Sequence, residues 1–406
     1  MVDLFEKCRE YTLVDEAKRR GIYPYFHALD SAPGDVVLME GKRRIMLGSN
    51  NYLGLTDDPR VKEAAIKAIE KYGTGCSGSR FLNGTLDIHL ELERELASFL
   101  NKEDACLFST GFQSNLAIIS AVTNRHDIIL TDARNHASIV DGCRLTFAKV
   151  YKYRHSDMEH LEQLLARHAE STKGGILIVT DGVFSMEGDI CKLPEIVRLA
   201  REYGARVLVD DAHSIGVIGE GGRGTASYFG LEDEVDLIMN TFSKTLASLG
   251  GAVVGDSETV NYIRHIARPF IFSASIPPAQ VAAAREALQI LIEEPERPLR
   301  LNDNARYMRE RLGEIPHLRI RDGGAEMIPI IPIRGGDIVQ TLTMATKLYD
   351  AGVYVNPVMP PAVPENDCLL RSSYTATHTR EILDEAVDII ARVFATLPHP
   401  SEYLDD

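Results

Sequence analysis

The sequence has few cysteines, no long apolar run and no excess of positive charge. Its six cysteines are scattered over 406 residues without a CxxC pair, which indicates a reducing compartment. No stretch reaches the length of a membrane span, and residues 1–7 carry charges where a secretory signal peptide would be apolar. We therefore expect a cytoplasmic protein.

The net charge of −15 excludes a general basic surface for nucleic acid, so any anionic ligand must be bound by a local group of cations. We predict neither a nucleic-acid partner nor a metal site. Hydrophobic residues make up 45% of the chain and charged residues 25%, as in a globular protein with a substantial core.

Short apolar segments alternate with helical patterns along the chain. The segments with the pattern of buried strands are 105–108, 128–130, 176–179, 206–209 and 235–239. Strands that are apolar throughout and are separated by helices predict an α/β fold with a mostly parallel central sheet. The ligands of such sheets lie at the carboxyl ends of the strands.

The length favours two domains. We predict an N-terminal arm over residues 1–56, a large cofactor-binding domain over 57–293 and a smaller α+β domain over 294–406. The second boundary falls between a long helical pattern that begins at Pro278 and a segment that contains Pro295 and Pro298. The short strands of the arm are expected to pack with the C-terminal part.

Lys244 is the strongest candidate for a catalytic residue. It follows segment 235–239 and a short polar turn, whereas Asp210 directly follows segment 206–209. A lysine in this position can form a Schiff base with an aldehyde cofactor, and the aspartate can keep a pyridine nitrogen protonated so that the ring accepts electrons. His213 can reach the same ring from the side. This set predicts pyridoxal 5′-phosphate, although a loop lysine taken alone would be read as an exposed residue.

Two further segments can bind the phosphate of such a cofactor. Residues 109–115 follow a strand and open a helix, so free backbone N–H groups near Gly111 and Phe112 can receive an anion. Thr241 can donate a hydrogen bond to the same phosphate. The alternative for residues 109–115 is that Ser or Thr only caps the helix.

Two other residues lie at the same predicted sheet edge. His136 begins a helical pattern and can stack on the cofactor ring while its N–H reaches a substrate carboxylate. Taken alone, His136 would be read as a helix-start histidine. Ser185 lies on the loop after segment 176–179, where ligand-binding residues are often found.

Taken in order, these segments resemble the α-oxoamine synthases, which are pyridoxal phosphate enzymes of the aspartate-aminotransferase fold (fold type I) that condense an amino acid with an acyl-CoA. The resemblance extends from about residue 23 to the last helix. The matching segments are GSNNYLGL (48–55), GTGCSGSR (73–80), NGT (83–85), NHASIVDG (135–142), DGVFSMEG (181–188), DDAH (210–213), GGRG (221–224) and TFSK (241–244).

The resemblance implies cofactor roles for the residues already named. Lys244 would carry the Schiff base, Asp210 would pair with the pyridine nitrogen and His213 would contact the phenolic oxygen. His136 would stack over the ring. The phosphate would be held by Gly111, Phe112 and Thr241.

Other roles are implied by the resemblance alone. Arg371 would clamp the carboxylate of the amino-acid substrate, with Asn50 and Ser185 beside it, and Ser185 would also contact the cofactor. Ser273 and Ala274 would reach the phosphate from the partner subunit, so the protein would be a homodimer with shared active sites. A lipid-like product would favour peripheral contact with a membrane, for which the sequence shows no anchor.

Among the branches of this family, the chain is most similar to the bacterial serine palmitoyltransferases, although Asn240 stands where that branch has glycine. This implies L-serine and palmitoyl-CoA as substrates, and a 3-ketosphinganine-type aminoketone, CoA and CO2 as products. Serine, alanine and glycine differ by one or two heavy atoms, so an 8-amino-7-oxononanoate synthase or a 2-amino-3-ketobutyrate CoA ligase is the alternative. An aminotransferase or a non-catalytic partner subunit would be alternatives of another class.

Overall fold

The computed structural model describes residues 3–169, 172–321 and 323–398. The helices, in chain order, are α1 (Glu6–Arg9), α2 (Leu13–Arg19), α3 (Pro59–Tyr72), α4 (Asp87–Phe99), α5 (Gly111–Val122), α6 (Ala137–Leu145), α7 (Met158–Ala169), α8 (Leu193–Tyr203), α9 (Thr225–Phe229), α10 (Ser257–Ile266), α11 (Arg268–Ile271), α12 (Pro278–Glu293), α13 (Glu296–Gly313), α14 (Ile338–Ala351) and α15 (Arg380–Phe394). The strands are β1 (Val36–Met39), β2 (Lys42–Met46), β3 (Asp104–Phe108), β4 (Ile128–Asp132), β5 (Lys149–Tyr153), β6 (Ile176–Asp181), β7 (Arg206–Asp210), β8 (Leu237–Thr241), β9 (Gly251–Gly255), β10 (Ile330–Gly336), β11 (Val353–Tyr354), β12 (Asn356–Val358) and β13 (Cys368–Ser373). None of the helices in these described ranges is long and apolar enough to cross a membrane.

The central sheet has seven strands in the order β3-β9-β8-β7-β6-β4-β5. Strands β4 to β8 run parallel to one another, whereas β9 pairs antiparallel with both β3 and β8. The predicted α/β fold with a mostly parallel sheet is therefore confirmed.

The central sheet is buried on both faces, which explains why its strands are apolar throughout. In β6, Ile176 and Ile178 pack in the hydrophobic cluster on one face, and Leu177 and Val179 pack in the cluster on the other. Alternate side chains of a strand point to opposite faces, so covering both faces requires a continuous apolar run.

Two strands of the central sheet, β5 and β9, were not predicted from the sequence. Strand β5 lies at the sheet edge and places Lys149 and Lys152 in solvent, so it lacks the pattern of a buried strand. Strand β9 is a five-residue segment with glycine at both ends, which by composition resembles a loop.

Two small sheets connect the N-terminal arm with the C-terminal part of the chain. One has the strand order β1-β2-β11, with β2 and β11 parallel, and the other has the order β10-β13-β12. Ile45 of β2 lies opposite Val353 of β11, and both belong to a hydrophobic cluster separate from those of the central sheet. The arm therefore packs with the C-terminal part as expected, while the exact domain boundaries stay a prediction.

A buried ion pair ties helix α4 to the loop before it and to the central sheet. Arg80 donates to Glu93 through Nη1 at 2.9 Å and Nη2 at 3.0 Å. Oε1 of Glu93 also accepts from the backbone N–H of Leu107, in β3, at 3.1 Å. Because both charges are shielded from water, removal of one leaves the other uncompensated.

We predict that Glu93→Gln, which keeps the side-chain volume, lowers the free energy of unfolding by about 3 kcal/mol because the guanidinium of Arg80 loses its counter-ion. Urea denaturation followed by circular dichroism measures this. The control is Glu63→Gln, which removes a carboxylate from an exposed pair with Lys67 and should leave the urea midpoint unchanged. Equal midpoint shifts in the two variants would contradict the prediction.

Candidate active site

A cavity of about 250 Å³ lies where strands β6, β7 and β8 end. Residues that line it include Gly111, Phe112, His136, Asp210, His213, Thr241 and Lys244, all of which were predicted to bind the cofactor. A larger cavity of about 920 Å³ lies near the amino ends of the same strands and contains none of these residues. Ligands of parallel sheets bind at the carboxyl ends, so the smaller cavity is the candidate active site.

Lys244 is presented to the cavity by a closed turn between β8 and β9. The backbone N–H of Phe242 donates to Gly250 at 2.9 Å, and the N–H of Ser248 donates back to Phe242 at 2.9 Å. Burial lowers the pKa of Lys244 to about 8, although the nearby charge of Asp210 opposes this effect. The neutral, nucleophilic amine is thus easier to form than on an ordinary lysine.

Asp210 is fixed at the end of β7 by two donors. Its Oδ2 accepts from Nδ2 of Asn115 at 2.7 Å, and its Oδ1 accepts from the backbone N–H of Ala212 at 3.0 Å. The carboxylate is almost fully buried and faces the cavity that Lys244 lines. This position suits a group that pairs with a protonated ring nitrogen.

Asp181 is a cavity residue to which the sequence analysis gave no role. It lies at the end of β6 directly beside Asp210, and its Oδ2 accepts from the backbone N–H of His136 at 3.1 Å. Its Oδ1 is buried and has no hydrogen-bond partner in the described part of the chain. Burial, and then the charge of Asp210, raise the pKa of Asp181 well above its usual value. In the sequence, the position of Asp181 at the end of a buried strand could have predicted it as a site residue.

The amino end of α5 can receive a phosphate. Thr110 caps this helix by accepting from the N–H of Gln113 at 3.1 Å, and no acceptor within the described residues takes the N–H groups of Gly111 and Phe112. A Cβ at position 111 would lie 2.5 Å from Oγ1 of Thr241, so only glycine allows this close approach. Capping and phosphate binding are thus both possible at this helix end.

His136 is the N-cap residue of α6 and also lines the cavity. Its Nδ1 accepts from the backbone N–H of Ser138 at 3.2 Å, and its ring lies edge-on to Phe112 with 6.2 Å between centroids. Burial lowers the pKa of His136, which favours the neutral imidazole. His136 therefore both caps helix α6 and lines the cavity.

Asn240 does not line the cavity. It lies on β8 between Met239 and Thr241, which do, so alternation along the strand points its side chain to the opposite face. Its side chain is buried, and neither Oδ1 nor Nδ2 has a hydrogen-bond partner among the described residues. The departure from glycine therefore changes the core behind the site and not its lining.

Arg371 lies beside the cavity at the centre of a second group of polar residues. Its Nε donates to the carbonyl of Ser185 at 2.5 Å. Its Nη1 donates to Oδ1 of Asn50 at 3.0 Å and to Oγ of Ser373 at 2.8 Å. Its Nη2 donates to Oη of Tyr52 at 3.3 Å. The structure thus brings together the three residues predicted to bind the substrate carboxylate.

Tyr52 joins the two groups and was missed by the sequence analysis. Its Oη lies 2.7 Å from Nδ1 of His213 and also accepts from Arg371. A tyrosine among leucines, as in segment 48–55, has the pattern of a core residue, and the partner histidine is 161 positions away in the chain.

Ser273 and Ala274 do not line the cavity. They border a neighbouring gap with Ser109, whose hydroxyl donates to the carbonyl of Ala274. Their predicted contact with the phosphate from a partner subunit stays a prediction.

The residues at the cavity fit pyridoxal 5′-phosphate. The free N–H groups at α5 can receive its phosphate, Asp210 can pair with its ring nitrogen, and the Lys244 amine, whose pKa is lowered, can attack its aldehyde. The sequence matches the model of the family described as aminotransferase class I and II over residues 42–390. The chain belongs to this family.

Relatives within the class I and II aminotransferase family narrow the assignment. The chain is 54% identical to a serine palmitoyltransferase of Sphingobacterium spiritivorum, over 96% of this chain and 96% of the relative. It is 44% identical to an 8-amino-7-oxononanoate synthase of Thermoanaerobacter pseudethanolicus, over 94% and 95% respectively. A solved structure of SPT with a PLP internal aldimine superposes with a TM-score of 0.93 at 35% identity, covering 98% of this chain and all 100% of that one. The resemblance to the α-oxoamine synthases, the fold-type-I prediction and the cofactor prediction are confirmed.

His155 fixes the loop that carries Ser185. Its Nδ1 lies 2.9 Å from Oδ1 of Asp132, and its Nε2 lies 2.9 Å from Oδ2 of Asp189. The carbonyl of Asp189 in turn accepts from the N–H of Phe184 at 3.0 Å. Burial alone would lower the pKa of His155, but the hydrogen bonds to the two carboxylates outweigh it and raise the pKa to about 9.

We predict that protonated His155 contributes to the free energy of unfolding and that this contribution disappears at alkaline pH. The folded pKa of about 9 exceeds the unfolded value of 6.5, so this component is complete below pH 6.5 and is lost as pH rises through 9. Urea midpoints of wild type and His155→Gln between pH 6 and pH 10 should therefore converge with rising pH. The control is His160→Gln. The Nδ1 of this histidine accepts from the backbone N–H of Arg154, and its ring is hydrogen-bonded to no carboxylate of the described residues, so this variant lacks the basis for such a convergence. A difference that stays constant with pH would contradict the prediction.

Proposed function

We propose that this chain catalyses the decarboxylative condensation of L-serine with a long-chain acyl-CoA, of which palmitoyl-CoA is the best candidate. A bond forms between Cα of serine and the acyl carbonyl carbon, while the C–S bond of the thioester and the bond from Cα to the carboxylate break. The products are a 3-ketosphinganine-type aminoketone, CoA and CO2. The serine palmitoyltransferase relative at 54% identity supports this choice of substrates.

The observation that carries the proposal is the environment of Arg371. Its side chain is 4% exposed, yet all its hydrogen-bond partners in the described part of the chain are neutral oxygens. A buried guanidinium without a counter-ion is costly, and a substrate carboxylate would supply the missing charge. The four hydrogen bonds above leave one N–H, on Nη2, that can donate to such a carboxylate. Asn50 and Ser185 hold this guanidinium beside the cavity that Lys244 lines.

Each group around the cavity has a task in this reaction. When bound, pyridoxal phosphate supplies an electron sink for the negative charge that develops at Cα of the amino acid. Nζ of Lys244, with its pKa lowered to about 8, would hold the cofactor, accept the α-proton and return a proton to Cα after CO2 has left. Asp210 keeps the ring nitrogen protonated. Arg371 would bind the carboxylate and so fix the orientation of the amino acid at the cofactor.

We also propose that the protein acts as a cytoplasmic homodimer with shared active sites. Ser273 and Ala274 lie beside the phosphate-binding end of α5 but outside the cavity of their own chain. Next to this turn, Phe272 is 75% exposed, and Leu82 on a nearby loop is 77% exposed. Exposed apolar side chains next to a site residue support a subunit interface there.

A substrate panel tests the proposed function. We expect kcat/KM for CoA release to be highest with L-serine and palmitoyl-CoA, compared with glycine or alanine and with acetyl or pimeloyl thioesters. Lys244→Ala is the inactive control. If alanine with a pimeloyl thioester is preferred, the protein is an 8-amino-7-oxononanoate synthase, which the relative at 44% identity makes the second candidate. If serine is no better than the other amino acids, the proposal fails while the family assignment stands.

Arg371→Lys tests the carboxylate site. The lysine keeps the positive charge but loses the fork, so we expect KM for serine to rise about tenfold or more, with a smaller change in kcat. The control is Arg309→Lys, at an arginine that is held by the carbonyls of Ala325 and Ile330 outside the cavity and should leave KM unchanged. An unchanged KM for serine in Arg371→Lys would remove the carboxylate role.

A further inference from the structure

The side chain of Tyr52 is hydrogen-bonded to both His213 at the cavity and Arg371. Its residue is fully buried, and its ring packs in the large hydrophobic cluster of the central sheet. Its Oη lies 2.7 Å from Nδ1 of His213 and 3.3 Å from Nη2 of Arg371. Neither the resemblance nor the proposed reaction gives this hydroxyl a task.

The direction of these hydrogen bonds follows from the chemistry of the partners. Arg371 can only donate, so the oxygen of Tyr52 is the acceptor in that contact. Burial raises the pKa of Tyr52, which therefore keeps its own proton. That proton has two acceptors within reach, Nδ1 of His213 at 2.7 Å and Oδ1 of Asn50 at 3.3 Å. The contact with His213 is the shorter of the two, so we assign the proton of Tyr52 to that bond.

The tautomer of His213 follows from that direction. Burial, and then the positive charges of Lys244 and Arg371, lower the pKa of His213 well below its usual value, so the imidazole is neutral. A neutral imidazole carries one proton, and because Nδ1 accepts from Tyr52, this proton lies on Nε2. The ring lines the cavity, and no carboxylate of the described residues contacts it.

We propose that Tyr52 is a positioning residue of the active site. Its hydroxyl holds His213 in the tautomer that offers the Nε2–H to the phenolic oxygen of the cofactor. Through Arg371, the same hydroxyl joins the cofactor half of the site to the carboxylate half. The inference rests on the proposed function for the identity of the amino acid that Arg371 receives, whereas the tautomer depends only on the hydrogen bonds.

The competing explanation is that Tyr52 only fills the core. Tyr374 provides the comparison, because it is also fully buried and donates its hydroxyl proton to Oγ of Ser372 at 3.0 Å. Substitution by phenylalanine removes one buried hydroxyl in either case and keeps the ring. A purely structural role predicts similar consequences at the two positions.

The test compares the cofactor-loaded Tyr52→Phe and Tyr374→Phe enzymes with wild type. In Tyr52→Phe, the Nε2–H of His213 is no longer fixed, so the phenolic oxygen of the cofactor loses a hydrogen-bond donor. This oxygen then becomes more basic, and the proton that lies between it and Nζ of Lys244 is lost only at higher pH. We expect the midpoint of the visible absorbance change of the bound cofactor to move upward by about 0.5 to 1 pH unit. We also expect KM for the amino acid to rise about threefold to tenfold, because Arg371 loses one of its partners. Tyr374→Phe should change neither quantity.

A second comparison, made in an enzyme that carries His213→Asn, tests whether Tyr52 acts through His213. In a His213→Asn enzyme, adding Tyr52→Phe should produce no further shift of the absorbance midpoint. An additive shift there would overturn the inference, and so would a Tyr52→Phe enzyme with the absorbance titration and the KM of wild type.

The test of Tyr52 can be interpreted whether or not the proposed substrates are correct. If wild type does not turn over serine with palmitoyl-CoA but Tyr52→Phe still shifts the titration, the proposed function fails and the Tyr52 inference stands. If serine is turned over and Tyr52→Phe titrates like wild type, the inference fails and the function stands.

Discussion

The positive charge of Arg371 is buried among neutral oxygens, and no carboxylate of the described residues pairs with it. The organisation of the active site depends on this cation. A guanidinium is tolerated in such a place only when its N–H groups find acceptors. The carbonyl of Ser185, the amide of Asn50 and the hydroxyls of Ser373 and Tyr52 take four of the five. None of them supplies negative charge. Among the described residues, one N–H of Nη2 therefore has no acceptor and the positive charge has no counter-ion, which favours an anionic substrate.

The part of the site that would hold the cofactor instead has carboxyl groups close together. Asp181 and Asp210 lie side by side at the ends of two parallel strands, with Lys244 the nearby amine. Mutual repulsion of the carboxyls is relieved because burial and the neighbouring charge raise the pKa of Asp181, whereas Asp210 is held by two donors. The two halves thus offer a fixed negative group to the ring and a fixed positive group to the substrate.

The sequence predicted the residues that follow strands and left out those that depend on distant contacts. Asp210 and Thr241 directly end buried strands, so their place at one sheet edge could be inferred from apolar runs alone. Arg371 was found only through a resemblance, because it lies inside a buried strand far along the chain. Tyr52 was missed because its hydroxyl meets a histidine 161 residues away, which no local pattern reveals. Strand β9 was missed for a related reason, since five residues bounded by glycines become a strand only between two neighbours.

The parallel pairing of β2 with β11 has a consequence for synthesis of the protein. The N–H of Ile45 donates to Gly352 at 2.8 Å, and the N–H of Ser373 donates to Leu47 at 2.7 Å. The segment that carries Asn50 and Tyr52 is therefore anchored by residues that are translated well after the central sheet. The central sheet needs nothing beyond β9 for its strands to pair. On the ribosome, the cofactor-binding framework can thus assemble while the amino-acid pocket is still open, and the pocket closes only after strands β11 and β13 emerge.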